Sequence, residues 1–135
     1  MFPKETNILV VDDSIHMRRL ITDTLYQLGF RKLVSASDAN EAINLMGLNQ
    51  KNKDPFQLIL SDLNMPGING LEFLKQIRAT ELYASMPFIL ITTESEKKYV
   101  LDAAVNGVSS YIVKPFTTEA LANRMLEAWK KHNPD

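Results

Sequence analysis

The chain has 135 residues, of which 45% are hydrophobic and 23% charged, so it is long enough for one globular domain with a core of its own. A formal net charge of −1 gives no bulk attraction to nucleic acid or to an anionic membrane, and the lack of cysteine excludes disulfides, thiolate metal sites and a cysteine nucleophile. Residues 1–7 lack the apolar core of a secretory signal, and no run approaches the roughly 18 apolar residues of a membrane span, which predicts a cytoplasmic protein.

The first third of the chain predicts two strands with a helix between them. The strands are the apolar runs NILVV (7–11) and KLVSA (32–36). One face of the intervening helix carries the residues Met17, Leu20, Ile21, Thr24, Leu25 and Leu28. Gly29 follows this helix, at a position where a helix commonly ends in a left-handed residue.

The middle of the chain predicts two further helices around a third strand. Asp38 stands three residues ahead of Glu41, the spacing of a capping box that opens a helix. The polar, turn-rich segment GLNQKNKDP (47–55) predicts a mobile surface loop after that helix. The run QLILS (57–61) predicts the third strand, and the third helix is expected to begin near Gly70.

The last third repeats the pattern twice. Strands are predicted at PFILIT (87–92) and SYIVK (110–114), with a helical segment between them that ends before Gly107. The buried stripe of the last helix is formed by Leu121, Met125, Ala128 and Trp129. Five repeats of strand and helix predict an α/β fold, a parallel sheet with helices on both faces and right-handed crossovers. We expect one domain over 1–135, with its core at about 6–132 and no separate output domain.

Polar side chains follow four of the five predicted strands, at the sheet edge where α/β proteins bind ligands. The first strand ends in Asp12 and Asp13, the third in Asp62, the fourth in Thr92, and the fifth in Lys114. Adjacent carboxylates at the edge of a core repel each other, so a compensating charge is expected. A hard divalent cation such as one Mg²⁺ would supply it, and the lysine is a second, fixed positive charge. Such a cluster could receive a phosphoryl group, with a carboxylate attacking phosphorus.

Five motifs in order give the chain a family resemblance. They are VVDDS, MRR, SDLNMPGINGLEFLKQIR, ILITTES and YIVKPF. Together they resemble the response regulator receiver domains, and specifically the stand-alone chemotaxis regulators among them, over nearly the whole chain. The resemblance implies a single doubly wound, flavodoxin-like sheet of five strands in the order 2-1-3-4-5 with five helices, an order already known for chemotaxis regulators of this type.

The resemblance also implies roles for particular residues. Asp62 matches the phosphoacceptor, with Thr92 and Lys114 as the groups that contact the phosphoryl oxygens. The metal site implied is formed by Asp13, Asp62 and the backbone carbonyl of Asn64 as direct ligands, with Asp12 acting through a metal-bound water. Thr92 and Tyr111 match the two switch residues, and Asn64 and Glu94 match positions that tune hydrolysis, here towards rapid loss of the phosphoryl group. The bond between Lys114 and Pro115 matches one that is cis in the family.

The output implied is a change in partner binding. A histidine kinase would phosphorylate Asp62, and the fourth helix, fifth strand and fifth helix would form the partner surface. That surface is expected to include Lys97, Lys98, Tyr99, Val108, Tyr111 and the residues around Glu119 to Asn123. The expected partner is the flagellar motor switch, with a phosphate sink, a relay or another target as alternatives. We expect a monomer that is not an enzyme.

Plainer interpretations exist for the same residues. The acidic pair Asp12–Asp13 could cap the first helix, and Asp62 could be a turn residue before Pro-Gly. His16 and His132 are interpreted as surface residues. A Mg²⁺-dependent phosphatase of the haloacid dehalogenase type also uses a nucleophilic aspartate, but it needs an Asp-x-Asp pattern that is missing after the first strand. A flavodoxin is excluded because no hydroxyl-rich phosphate loop follows that strand.

Overall fold

The computed structural model describes residues 1–93, 96 and 98–134. The strands are β1 (Ile8–Val11), β2 (Leu33–Ala36), β3 (Leu58–Asp62), β4 (Phe88–Thr93) and β5 (Ser110–Lys114). The helices are α1 (Ile15–Gln27), α2 (Ala39–Lys51), α3 (Gly70–Ala79), α4 (Lys98–Val105) and α5 (Thr118–His132), with a short 3₁₀ turn at Glu81–Tyr83. The predicted alternation of strand and helix is confirmed.

The five strands form one parallel sheet in the order β2-β1-β3-β4-β5, which confirms the predicted topology. The register aligns the carboxyl ends of the central strands. Asp62 of β3 is paired with Ile91 of β4, and Lys114 of β5 with Thr93. Residues that follow these strands therefore emerge side by side at one edge of the sheet.

The sheet separates two hydrophobic cores. Every residue of β1 is buried, yet its side chains alternate between the two faces, as the pleat requires. Leu9 and Val11 pack into the core beneath α2, α3 and α4. Ile8 and Val10 pack into the core beneath α1 and α5. This two-sided burial is the reason that the strands appear in the sequence as unbroken apolar runs.

Side chains cap the helices at their first turns. Asp38 accepts a hydrogen bond from Glu41 N (2.8 Å), as the capping pattern predicts. The Glu41 carboxylate, however, accepts from the Ser37 hydroxyl (3.1 Å). Gly29 has the left-handed conformation expected after α1, with φ of +99°.

The predicted loop at 47–55 was wrong for its first five residues, because α2 continues to Lys51. The side chain of Met46 is 2% exposed and anchors this end of the helix in the core. Beyond the helix the chain turns at Lys53, whose φ is +60°, and Asp54 N donates to Asn49 O (2.9 Å). The polar composition indicated a loop here. The segment is nevertheless helical, because packing of one helix face against the core stabilises a helix more than composition alone suggests.

Helices α1 and α4 leave large apolar side chains exposed. In α1, Leu20 lies outside the buried arc and is 49% exposed. In α4, Ala103 is the buried residue, whereas Leu101 and Val105 are 76% and 86% exposed. Val108, which we expected on the partner surface, is instead 9% exposed and belongs to the core. Leu101 and Val105 therefore give α4 an exposed apolar surface that was not predicted.

At the amino ends of the strands, residues near both ends of the chain pack against the fold. Phe2 meets Trp129 of α5 edge to face, with ring centroids 5.2 Å apart. His132 was predicted to be solvated, but its Nε2 lies 2.6 Å from Ser109 Oγ at the start of β5. These contacts lie at the opposite end of the strands from Asp62 and Lys114.

Gly70 is the position where the fold leaves no room for a side chain. A Cβ there would lie 2.2 Å from Asp62 O, a backbone atom that cannot move independently. We expect Gly70→Ala to lower the free energy of unfolding by about 3 kcal/mol or more, measured by urea denaturation. Gly47→Ala is the matched control, because nothing lies within 4 Å of its Cβ position. Alanine in a helix should add about 0.5–1 kcal/mol there. Equal stability of the two variants would contradict the close approach.

Candidate functional site

Three carboxylates meet at the carboxyl edge of the sheet. Asp12, Asp13 and Asp62 each place an oxygen within 4.8 Å of the others. Asp12 and Asp62 are 1% and 5% exposed, whereas Asp13 faces solvent. The predicted convergence of β1 and β3 is thus confirmed in position, and it puts three like charges into a small volume.

Lys114 supplies a cation to this cluster. Its Nζ lies 2.9 Å from Asp62 Oδ1 and 3.4 Å from Asp12 Oδ2. Burial alone would lower the pKa of Lys114, but the bonds and charges of Asp62 and Asp12 outweigh burial and raise it. The lysine therefore stays charged. The bond between Lys114 and Pro115 is cis, as the resemblance implied.

Asp12 is also bound to the start of α1. Its Oδ1 accepts from Ser14 N (2.9 Å), and its backbone oxygen accepts from the Arg18 guanidinium (2.7 Å). Ser14, not an aspartate, is the N-cap, since its hydroxyl accepts from Met17 N. The capping interpretation of the acidic pair therefore does not account for Asp13, whose carboxylate lies in the cluster with Asp12 and Asp62.

Among the three clustered carboxylates, Asp62 has a raised pKa. Burial raises its pKa most, the hydrogen bond and charge of Lys114 lower it, and the charges of Asp12 and Asp13 raise it again, to about 6. Near neutral pH the carboxylate is therefore mostly ionised, yet it binds a proton more readily than an ordinary aspartate. A cation placed among the three carboxylates would reduce their mutual repulsion and lower the pKa of Asp62.

Oxygen donors of this kind suit a hard divalent cation such as Mg²⁺, so the residues present fit the metal that the resemblance implies. Asp12, Asp13 and Asp62 contribute the carboxylates. The side chain of Asn64, which follows Asp62 by two residues, reaches towards β4 and donates to Glu96. His16 is exposed on α1 and is not among the three clustered residues, in keeping with its interpretation as a surface residue.

Thr92 is fully buried at the end of β4, and its hydroxyl is already engaged. Thr92 Oγ1 donates to Glu96 Oε2 (2.9 Å), and the same carboxylate accepts from Thr93 N (2.8 Å). Glu96 is itself only 7% exposed. The strand-end hydroxyl predicted to contact an anion is thus bound to one that the protein provides.

Sequence reasoning missed Glu96. A signal was present, because Thr93 and Glu96 have the Thr-x-x-Glu spacing of a capping box, in which the glutamate accepts from the backbone of the first residue. The position that the resemblance selected for tuning hydrolysis, Glu94, lies outside the described residues.

Tyr111 lies on β5 in register with Leu90, two residues before Thr92. Its ring is half-buried against the core beneath α4, and the Arg124 guanidinium of α5 stacks over it at 4.7 Å from the ring centroid. The tyrosine therefore connects the three elements expected to form a partner surface.

Comparison with known proteins gives one family over most of the chain. Residues 8–126 match the response regulator receiver domain. The chain is 44% identical over 118 residues to a chemotaxis protein CheY homolog of Campylobacter jejuni, covering 87% of this chain and 88% of that protein. It is 38% identical over 122 residues to chemotaxis protein CheY-3 of Vibrio cholerae, covering 90% of each.

Solved structures of chemotaxis and receiver-domain proteins have the same fold as this chain. The chemotaxis protein CheY4 of Vibrio cholerae superimposes with a TM-score of 0.77 at 32% identity, covering 92% of this chain and 98% of that one. A response regulator receiver domain protein of Clostridium thermocellum gives a TM-score of 0.80 at 23% identity, covering 93% and 95%, and supports the fold alone. Within the described part of this chain, no helix is both long and apolar enough to cross a bilayer.

The raised pKa of Asp62 has a measurable consequence for stability. An acid that binds its proton more tightly in the folded state than in the unfolded state makes folding less favourable as pH rises from about 4 to about 6. In metal-free buffer, Asp62→Asn should therefore raise the unfolding midpoint at pH 7 and have a smaller effect at pH 4. Asp23→Asn, an exposed residue of α1, is the control. An equal gain at both pH values would contradict the shift.

Proposed function

The chain belongs to the response regulator receiver domain family, and we propose that Asp62 accepts a phosphoryl group from a histidine kinase in two-component chemotaxis signalling. The observation that best supports this proposal is the buried Asp62 carboxylate, whose Oδ1 lies 2.9 Å from Lys114 Nζ and which has two further carboxylates beside it. Receiver domains are regulatory signalling proteins, and the proposed chemistry is a single transfer that changes the protein itself.

In the proposed transfer, an ionised oxygen of Asp62 attacks the phosphorus of a phosphohistidine. The new bond joins that oxygen to phosphorus, and the phosphorus–nitrogen bond breaks, leaving its electron pair on the imidazole, which takes up a proton. Lys114 orients the carboxylate beforehand and can then pair with a phosphoryl oxygen. Asp12 and Asp13, with Asp62, would hold Mg²⁺, which supplies charge neutralisation for the phosphoryl oxygens when bound.

Thr92 and Tyr111 are the proposed switch. The Thr92 hydroxyl would turn to donate to the phosphoryl group, and Tyr111 would repack where β5 meets α4 and α5. Asn64, whose amide lies at the rim of the site, is proposed to influence the water that removes the phosphoryl group. A ligand biases such a two-state surface only through contacts that differ between the states, and the Thr92 bond is one such contact.

The proposed output surface is the face formed by α4, β5 and α5. Leu101 and Val105 lie one turn apart on α4, and both are more than three-quarters exposed. Lys98 is exposed beside them, and the rim contains the half-buried Tyr99, while Lys97 lies outside the described residues. An apolar stripe next to the basic Lys98 suits an amphipathic, acidic peptide, and we propose that the flagellar motor switch provides it.

A phosphate sink or relay would use the same acceptor chemistry without a motor partner. The exposed apolar stripe on α4 favours a binding output, since a sink needs no such surface. A phosphatase acting on phosphate esters would show steady turnover, which we do not expect from an acceptor without the Asp-x-Asp pattern.

Phosphoryl transfer can be measured directly. With Mg²⁺ and a small acyl phosphate, intact-mass spectrometry should show one added phosphoryl group, which is absent in Asp62→Asn. We expect Lys114→Gln to slow its formation roughly a hundredfold, because a preorganised donor to the transferring group is lost. Lys75→Gln, an exposed lysine of α3, is the matched control. A phosphoryl group formed equally fast in Asp62→Asn would overturn the assignment.

The partner surface has its own test. An N-terminal peptide of the motor switch protein should bind more tightly once Mg²⁺ and beryllofluoride, a phosphoryl mimic, are added. Leu101→Ser and Val105→Ser should each weaken that binding about tenfold, as measured by calorimetry. Leu48→Ser, which removes an exposed leucine from α2 instead, should leave the binding unchanged. If the peptide does not bind while Thr92 resonances respond to beryllofluoride, the motor partner is wrong and a sink or another target replaces it.

A further inference from the structure

A buried carboxylate that the proposed transfer does not use is bound to the switch hydroxyl. Glu96 Oε2 accepts from Thr92 Oγ1 (2.9 Å) and from Thr93 N (2.8 Å), and Glu96 Oε1 accepts from the Asn64 amide. Glu96 thus bridges the loop after β3 to the end of β4. It contacts two of the side chains, Thr92 and Asn64, to which the proposed function gives a role in the phosphorylated state.

A hydroxyl has one hydrogen to donate. Thr92 cannot donate to Glu96 and to a phosphoryl oxygen on Asp62 at the same time, so the two bonds exclude each other. The Thr92 side chain is fully buried, so solvent offers its hydroxyl no partner, and Thr93 O at 3.3 Å is a more distant acceptor than Glu96 Oε2 at 2.9 Å. When the Thr92 hydroxyl turns away from Glu96 it therefore loses a charge-assisted hydrogen bond. A new hydrogen bond to a phosphoryl oxygen on Asp62 would replace the lost one.

We propose that Glu96 is a positioning residue that holds Thr92 and Asn64 in the unphosphorylated arrangement, as an internal competitor for the incoming phosphoryl group. The inference rests on the proposed phosphorylation of Asp62 and adds a control on how easily the phosphorylated state forms. In this arrangement Glu96 sets the threshold of the switch, and the partner surface responds only after the carboxylate has been displaced from Thr92.

The charge of Glu96 supports this role. Burial raises its pKa, but hydrogen bonds from Thr93 N and from the two threonine hydroxyls, with the charge of Lys114, outweigh burial and lower the pKa. Glu96 is therefore an anion at neutral pH. An ionised carboxylate accepts a stronger hydrogen bond than a neutral one, so the bond from Thr92 Oγ1 to Glu96 Oε2 is one that a phosphoryl oxygen has to displace.

The affinity for beryllofluoride in the presence of Mg²⁺ measures the threshold without a kinase. Glu96→Gln keeps the shape of the side chain but weakens its bond from Thr92, so it should tighten beryllofluoride binding about fivefold. Glu72→Gln removes the same charge from an exposed residue of α3 and should leave the affinity unchanged. Unchanged or weaker binding in Glu96→Gln would overturn the proposal.

A double-mutant cycle separates the hydrogen bond from the charge. Thr92→Val removes the hydroxyl and should itself weaken beryllofluoride binding. In that background, Glu96→Gln should change the affinity less than twofold, because the competing bond is already gone. A gain of the same size with and without the hydroxyl would show that Glu96 acts through its charge alone, which contradicts the positioning role.

A third measurement uses the wild-type protein and does not depend on a folded variant. The carboxyl carbon of Glu96 and the amide of Thr93 should both shift in NMR spectra when beryllofluoride binds. If Thr92 responds while Glu96 does not, the proposal is overturned. If the wild type neither binds beryllofluoride nor accepts a phosphoryl group, the proposed function itself fails, and this inference fails with it.

Discussion

The ion pair between Lys114 and Asp62 is the interaction on which the carboxyl edge of the sheet depends. β3 and β5 are separated by β4, so the two residues start from strands about 10 Å apart, two strand spacings. A lysine side chain is long enough to cross an intervening strand, and its Nζ reaches both Asp62 and Asp12. One ammonium group thus pairs with carboxylates that belong to the ends of two different strands, β1 and β3.

That single cation does not balance the edge. The carboxylates of Asp12, Asp13, Asp62 and Glu96 outnumber the cations Lys114 and Arg18, and burial, together with the charges of Asp12 and Asp13, raises the pKa of Asp62. Burying charges in this way costs stability unless a ligand compensates them. The rest of the fold, with a full core on each face of the sheet, holds these groups in place despite their repulsion. A site with excess negative charge is thereby ready to take up a cation.

The positions of the site residues could be predicted from the sequence where those residues stand at the ends of strands, and less well elsewhere. Asp12, Asp62, Thr92 and Lys114 could be placed because the alternation of strands and helices brings the carboxyl ends of parallel strands together. Glu96 could not, because it lies four residues beyond Thr92, after β4 has ended, and neither hydrophobic period nor strand order fixes where such a side chain turns. Its capping-box spacing from Thr93 was the one available signal.

The errors in the fold have a common physical cause. The end of α2 was predicted as loop because its composition is polar, and Leu20 was predicted as buried because it is apolar. Composition describes a residue alone, whereas burial depends on which arc of a helix meets the sheet. Val108 is a different case: the resemblance, not its composition, placed it on the partner surface, and it lies in the core next to an α4 whose exposed leucine and valine were not singled out.

The packing of Trp129 against Phe2 gives the protein a built-in spectroscopic probe. It is the chain's one tryptophan, and it lies at the amino edge of the sheet, across the molecule from the carboxylates. Its fluorescence will therefore follow loss of the tertiary fold with little interference from the occupancy of the acidic edge. Denaturation curves recorded with and without ligand can then be compared on one baseline, so linkage between binding and folding can be read from emission alone.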